Sequence, residues 1–139
     1  MYAPFRISEA SVLGFHAMIY LTMKTGDPAT TGEIAGFLNA SGSHLSKVLQ
    51  RLVKAGLVKS MRGPRGGFLL AKDPSEISLE EVYELFEGVR RNAGCLLKTP
   101  VCGNRCVFGD ILSRMNDLAA DFLTRTTLAG AVQTIAGDE

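Results

Sequence analysis

The sequence predicts a mainly α-helical chain with a small β-hairpin wing: a winged helix-turn-helix followed by a long C-terminal dimerisation helix. Three observations carry this expectation. A capped helix and a tight turn precede an amphipathic run that begins near Ser43. A glycine- and proline-rich hairpin with a basic tip, Arg62 to Gly67, follows that run. Seven of the 15 Lys and Arg lie between Ser41 and Lys72, a stretch without Asp or Glu. The remainder holds 8 basic and 14 acidic residues, so a net charge of +1 hides a polarised molecule whose basic part suits a polyanion.

The elements follow in order. Ser8 caps a first helix to about Lys24, with Val12, Phe15, Ile19 and Tyr20 as its apolar stripe, widened by Leu13, Ala17 and Met23. Thr25-Gly26-Asp27-Pro28 ends it. The capping box Thr30-x-x-Glu33 opens a second helix, which buries Ile34, Ala35, Phe37 and Leu38. Asn39 to Gly42 reads as a tight turn. In the third helix Leu45, Val48, Leu49, Leu52 and Val53 recur at helical spacing, and Gly56 stops it. Leu57-Val58 and Phe68-Leu69-Leu70 flank the hairpin tip. A second box, Ser78-x-x-Glu81, opens a helix carried by Val82, Leu85, Phe86 and Val89. Residues 92–106 have no helical period and hold every cysteine. A long helix from about Val107 to Thr124 presents Phe108, Ile111, Leu112, Met115, Leu118, Ala119 and Phe122 on one side, and a short helical end closes the chain. Two units are expected, residues 1–90 for DNA binding and 91–139 for the cysteine loop and the dimer helix.

Composition narrows the function classes. With 139 residues, 46% hydrophobic and 21% charged, the chain has material for one core. No apolar run is long enough to span a membrane. The N-terminus shows no signal peptide, so the cytoplasm is expected. Three cysteines, Cys95, Cys102 and Cys106, argue against a disulfide framework in a reducing compartment. No nucleophile–base–acid arrangement suggests an enzyme, and His16 reads as a satisfied core histidine. A small electron-transfer protein would have no use for the basic hairpin.

An α-helix fits the major groove, where base edges carry a distinguishable hydrogen-bonding code. The helix from Ser43 offers Ser43, His44, Ser46, Lys47, Gln50 and Arg51 outward. The short side chains suit base edges; Lys47 and Arg51 suit phosphates or guanine. Arg62 or Arg65 at the wing suits a narrow minor groove. The partner is therefore double-stranded DNA. Cys95-x6-Cys102-x3-Cys106 supplies soft thiolates for an iron–sulfur cluster or zinc, or else free thiols.

Phe5 to Ser8, Glu33-Ile34-Ala35, Leu45 to Val58, Arg62 to Ala71, the three-cysteine loop and Thr127-Leu128-Ala129 together resemble the Rrf-type (IscR- and NsrR-like) family of winged-helix iron–sulfur regulators, over nearly the whole chain. The resemblance implies a homodimer held by the long C-terminal helix. It implies a two-iron or four-iron cluster near the interface, and DNA affinity that follows cluster state, with nitric oxide, iron, cluster supply or redox stress as signals. It also carries DNA contacts over to Ser43, His44, Ser46, Arg62 and Arg65, and cluster ligation to Cys95, Cys102 and Cys106. The cysteine gaps here are less even than the family's, and positions that ligate in some members hold Val12 and Gly109. The fourth ligand is left among Asp110, an external molecule, Glu9 and His16. The alternative is a winged-helix repressor that uses thiol chemistry or zinc without a cluster.

Overall fold

The computed structural model describes residues 5–24, 26–89, 95–103 and 105–137. Thr25, the start of the cysteine-bearing segment and the expected division between residues 90 and 91 lie outside them. The order is α1 (Glu9–Met23), α2 (Thr31–Leu38), α3 (Gly42–Lys54), β1 (Val58–Met61), β2 (Gly67–Leu70), a 3₁₀ turn (Pro74–Glu76), α4 (Leu79–Glu87), α5 (Ile111–Arg125) and α6 (Leu128–Ala136). The expected fold class, mainly helical with one hairpin wing, is the observed one.

Capping sets the starts. Ser8 Oγ accepts from the Ser11 N–H at 3.2 Å, and Thr30 Oγ1 accepts from the Glu33 N–H at 3.1 Å. At Ser78 the box is reciprocal: Ser78 Oγ accepts from the Glu81 N–H at 3.3 Å, and Glu81 Oε2 accepts from the Ser78 N–H at 3.2 Å. Asn39 takes a left-handed conformation, φ 52°, and returns its N–H to α2, while Ser41 caps α3. This makes the sharp turn between the two helices.

The core gathers Met18, Ile34, Leu45, Leu49 and Leu52, all fully buried, with Ile77, Val82 and Leu128. Burying each large aliphatic side chain contributes about 1.5–3 kcal/mol. Leu123 and Leu128, from α5 and α6, belong to the same cluster as the N-terminal helices. Backbone hydrogen bonds Leu79 N–H to Thr126 O and Leu128 N–H to Ile77 O, both 2.9 Å, tie that end of the chain to the start of α4.

The hairpin pairs Val58 with Leu70 through Met61 with Gly67, antiparallel. It is anchored by Phe68, which exchanges two backbone hydrogen bonds with Ala29, at 2.8 and 3.1 Å. At Gly67 φ is +152° and a Cβ would come within 2.6 Å of the Ala29 carbonyl oxygen, so only glycine lets the wing root this closely.

Several expectations need correction. In α1 the buried face is Ser11, Leu13, Gly14, Ala17, Met18 and Leu21, and Val12 and Met23 are exposed. The helix is apolar nearly all round, so its sequence does not announce a stripe; the choice falls to Gly14, whose missing side chain admits the Phe86 ring. His16 is therefore not a core histidine: it is exposed, with Nδ1 2.7 Å from the Val12 carbonyl oxygen. Phe37 is 57% exposed and packs on the outside against Tyr20, ring centroids 4.7 Å apart. Val89 lies past the end of α4 and is exposed. The long helix begins at Ile111 rather than near Val107, because Gly109 is left-handed, φ +63°, and breaks helical geometry there.

Candidate nucleic-acid interface and thiol pocket

Ser43, Lys47 and Gln50 are exposed on α3, His44 and Ser46 are half-buried, and Arg62 and Arg65 are exposed on the hairpin tip. Leu45, Val48, Leu49 and Leu52 pin the opposite side of α3 into the core. The capping by Ser41 leaves the first turn of the helix, with Ser43 and His44, at the surface. Among the described residues no acidic side chain pairs with Lys47, Arg62 or Arg65. Lys47 on α3 and Arg62 and Arg65 on the wing are thus available to an external anion such as phosphate.

Arg51 differs. Its guanidinium donates to the Leu85 carbonyl oxygen at 2.7 Å and lies over the Phe86 ring, 4.7 Å from its centroid. These contacts brace α3 against α4, while the side chain stays at the surface. Sequence spacing placed it on the outward side of α3 but carried no sign of this partner 34 residues away.

Two residues singled out for different roles meet. Glu9, the first residue of α1, has Oε1 3.5 Å from His44 Nδ1. The start of α1, which carries Glu9, is held by a cluster that sequence reasoning missed. Glu87, at the end of α4 with 6% of its side chain exposed, accepts from the Ser8 N–H at 2.6 Å and the Ser11 hydroxyl at 2.5 Å, and Arg6 lies 3.8 Å away. Burial pushes the Glu87 carboxyl upward, but the hydrogen bonds from Ser11 and Ser8 and the charge of Arg6 outweigh it, and the net pKa is lowered. A lone Glu after an amphipathic helix has no sequence signature of burial.

Cys95, Cys102 and Cys106 are free thiols that line one pocket of about 290 Å³ with Pro100 and Gly103. Cys95 Sγ accepts from the Leu97 N–H and Cys106 Sγ from the Phe108 N–H, each at 3.4 Å. Among the described residues no three His, Cys, Asp or Glu side chains are disposed to hold a single metal ion. The donor set, three thiols around one cavity, fits a larger thiolate-bound group. None of the expected fourth donors lines that pocket. Asp110 is separated from Cys106 by the left-handed Gly109, Glu9 faces His44, and His16 borders an apolar cavity beside α1.

That apolar cavity, about 310 Å³, lies between α1, α4, α5 and α6 and is lined by residues that include Phe5, Val12, Phe15, Tyr83 and Phe122. Next to it, Met115, Leu118 and Phe122 of α5 are exposed, Leu118 by 73%. No helix among the described residues is long and apolar enough to cross a membrane.

Comparison with known proteins agrees with this architecture. A family model described as Rrf2, iron-dependent transcriptional regulator, matches residues 7–134. The chain is 33% identical over 129 residues to the HTH-type transcriptional regulator IscR of Yersinia pseudotuberculosis, covering 91% of this chain and 79% of that one. It is 36% identical over 84 residues to BadM of Rhodopseudomonas palustris, a putative HTH-type transcriptional regulator, a match that spans 60% of this chain and 54% of that one. The structure of CymR, the global cysteine regulator of Bacillus subtilis, superposes with a TM-score of 0.77 at 28% identity, over 94% of this chain and 98% of that one. These relatives are regulators, not enzymes. With its helix-turn-helix, basic wing and family match over nearly its whole length, the chain belongs to the Rrf2 family of DNA-binding transcription regulators.

Proposed function

We propose that the protein is a homodimeric regulator whose affinity for double-stranded DNA follows the state of Cys95, Cys102 and Cys106, acting as the ligands of an iron–sulfur cluster. In this reading Ser43, His44 and Ser46 contact base edges, Lys47, Arg62 and Arg65 contact phosphates or the minor groove, and Arg51 braces α3 from behind. The observation that carries the sensing role is the convergence of the three thiols on one pocket. A cluster bound there would supply iron open to redox change or to a gas ligand. The three thiols would hold it, and Cys95 and Cys106 each also accept a backbone N–H. Since among the described residues no fourth donor of the same chain lines the pocket, the last coordination position falls in this reading to a small external ligand or to His16 of the second copy.

The dimer reading is supported by the outward apolar residues Met115, Leu118 and Phe122 of α5 and by the apolar cavity that Phe122 lines. Two-fold symmetry then calls for a near-palindromic operator.

A second reading has its own support: a thiol sensor without a cluster, favoured by the likeness to a cysteine regulator and by three accessible free thiols. One experiment separates them. Protein purified anaerobically is assayed for iron, sulfide and visible absorption, and its DNA affinity is compared with that of the apo form. Cluster sensing expects coloured protein, loss of the absorption on alanine substitution of any of the three cysteines, and different affinities of the two forms. Colourless anaerobic protein whose affinity changes with a thiol oxidant would replace the cluster reading with the thiol one.

A further inference from the structure

We infer that Glu9 is a specificity-determining positioning residue, whose carboxylate sets which hydrogen-bonding face His44 shows to DNA. His44 sits in the first turn of α3, the part of a recognition helix that meets base edges. Its Nδ1 lies 3.5 Å from Glu9 Oε1. An ionised carboxylate can only accept hydrogen bonds, so beside it the single N–H of a neutral imidazole belongs on Nδ1. The lone pair is then on Nε2, at the far side of the ring and free for the DNA. An acceptor in the major groove matches an exocyclic amino group, cytosine N4 or adenine N6, and mismatches guanine, which offers only acceptors there.

Glu9 can do this because its own place is fixed. The Ser8 Oγ cap and the Glu87 carboxylate hold the first turn of α1, which carries Glu9. The Glu9 side chain is 79% exposed and absent from the core, so its removal leaves the fold intact. This inference rests on the reading that His44 contacts a base, and the test separates the two.

Binding of the purified dimer to a library of operator half-sites, with every base varied, is measured for the wild type, Glu9→Ala and His44→Ala. The tautomer of His44 is read from the ¹⁵N shifts of its imidazole. The wild type is expected to prefer cytosine or adenine over guanine at one position by about tenfold or more, with the proton on Nδ1. Both variants should flatten that preference, while Glu9→Ala leaves the melting temperature and the salt dependence unchanged and shows a mixture of tautomers. If only His44→Ala loses the preference and the tautomer of Glu9→Ala is that of the wild type, the role of Glu9 is overturned and the base contact stands. If His44→Ala also keeps the preference, the base contact itself falls, and the role of Glu9 with it. A preference for guanine lost in both variants would show a donating ring and overturn the acceptor assignment.

Discussion

Helices α3 and α5 each carry an apolar stripe at helical spacing, yet they do opposite things with it. In α3, Leu45, Val48, Leu49 and Leu52 are buried inside the chain, and the charged side looks outward. In α5, only Leu112 and Leu123 reach the interior among the large apolar side chains, while Met115, Leu118 and Phe122 stand exposed beside an apolar cavity. The periodicity of a sequence therefore says where an apolar face lies, not what covers it. A face covered from within belongs to the fold, and a face left open points to something the single chain does not contain.

The sharpest way to break this contrast is to put a charge on each face. Leu118→Asp should leave the monomer folded, because the side chain is already in water, but give monomers in sedimentation and lower DNA affinity by about 100-fold or more, toward the non-specific level. A dimer of that variant with full affinity would remove α5 from the interface. Leu52→Ala should behave in the reverse sense: a loss of about 2–5 kcal/mol in denaturant unfolding, from transfer and cavity terms, with the oligomeric state unchanged in whatever fraction remains folded. If Leu52→Ala were silent in unfolding, α3 would not be sealed by the core as described.

The same contrast explains what was legible in the sequence. The helix-turn-helix could be read because each of its signals is local: the capping box at Thr30, the tight turn from Asn39 to Gly42, the spacing of Leu45 to Leu52, the glycines of the wing. The capping box at Ser78 was legible for the same reason. What could not be read depends on partners far along the chain. The buried face of α1 was missed because nearly every residue of that helix is apolar, and Phe86, 72 positions away, decides which side goes in. Arg51 reads as a phosphate contact, and nothing in its spacing announces the Leu85 carbonyl and the Phe86 ring that it also meets. The three cysteines were visible as a donor set, but their convergence on one pocket, whose lining does not include Asp110, is a property of an irregular segment without periodicity.

A smaller effect tests the outward side of α3 and the wing. Arg65 is exposed and unpaired among the described residues, whereas Arg51, also exposed, is engaged by the Leu85 carbonyl and the Phe86 ring. Arg65→Ala should weaken binding to all sequences alike and reduce the slope of log affinity against log salt by about one. Arg51→Met should leave that slope nearly unchanged and instead lower stability, since it removes a hydrogen bond to a helix-end carbonyl and a ring contact. Equal salt slopes for wild type and Arg65→Ala would take the wing off the DNA, and a slope reduced by Arg51→Met would return Arg51 to the phosphates.

The smallest effect concerns the junction that fixes Glu9 and the start of α1. The folded-state pKa of Glu87 lies below its ordinary value of 4.5, since hydrogen bonds from Ser11 and Ser8 and the nearby Arg6 outweigh the cost of burial. A lowered folded pKa means that the unfolded chain takes up the proton first as pH falls. The stabilisation is therefore complete well above pH 4.5, begins to fade as the unfolded carboxyl titrates, and is gone once pH has dropped through the folded value. Glu87→Gln keeps the shape but cannot carry the charge. Compared with the wild type it should be less stable at neutral pH, with the gap between the two closing below about pH 4 in denaturant unfolding. A gap that stays constant across that range would mean that the charge of Glu87 contributes nothing and that its hydrogen-bond geometry alone holds α1 to α4.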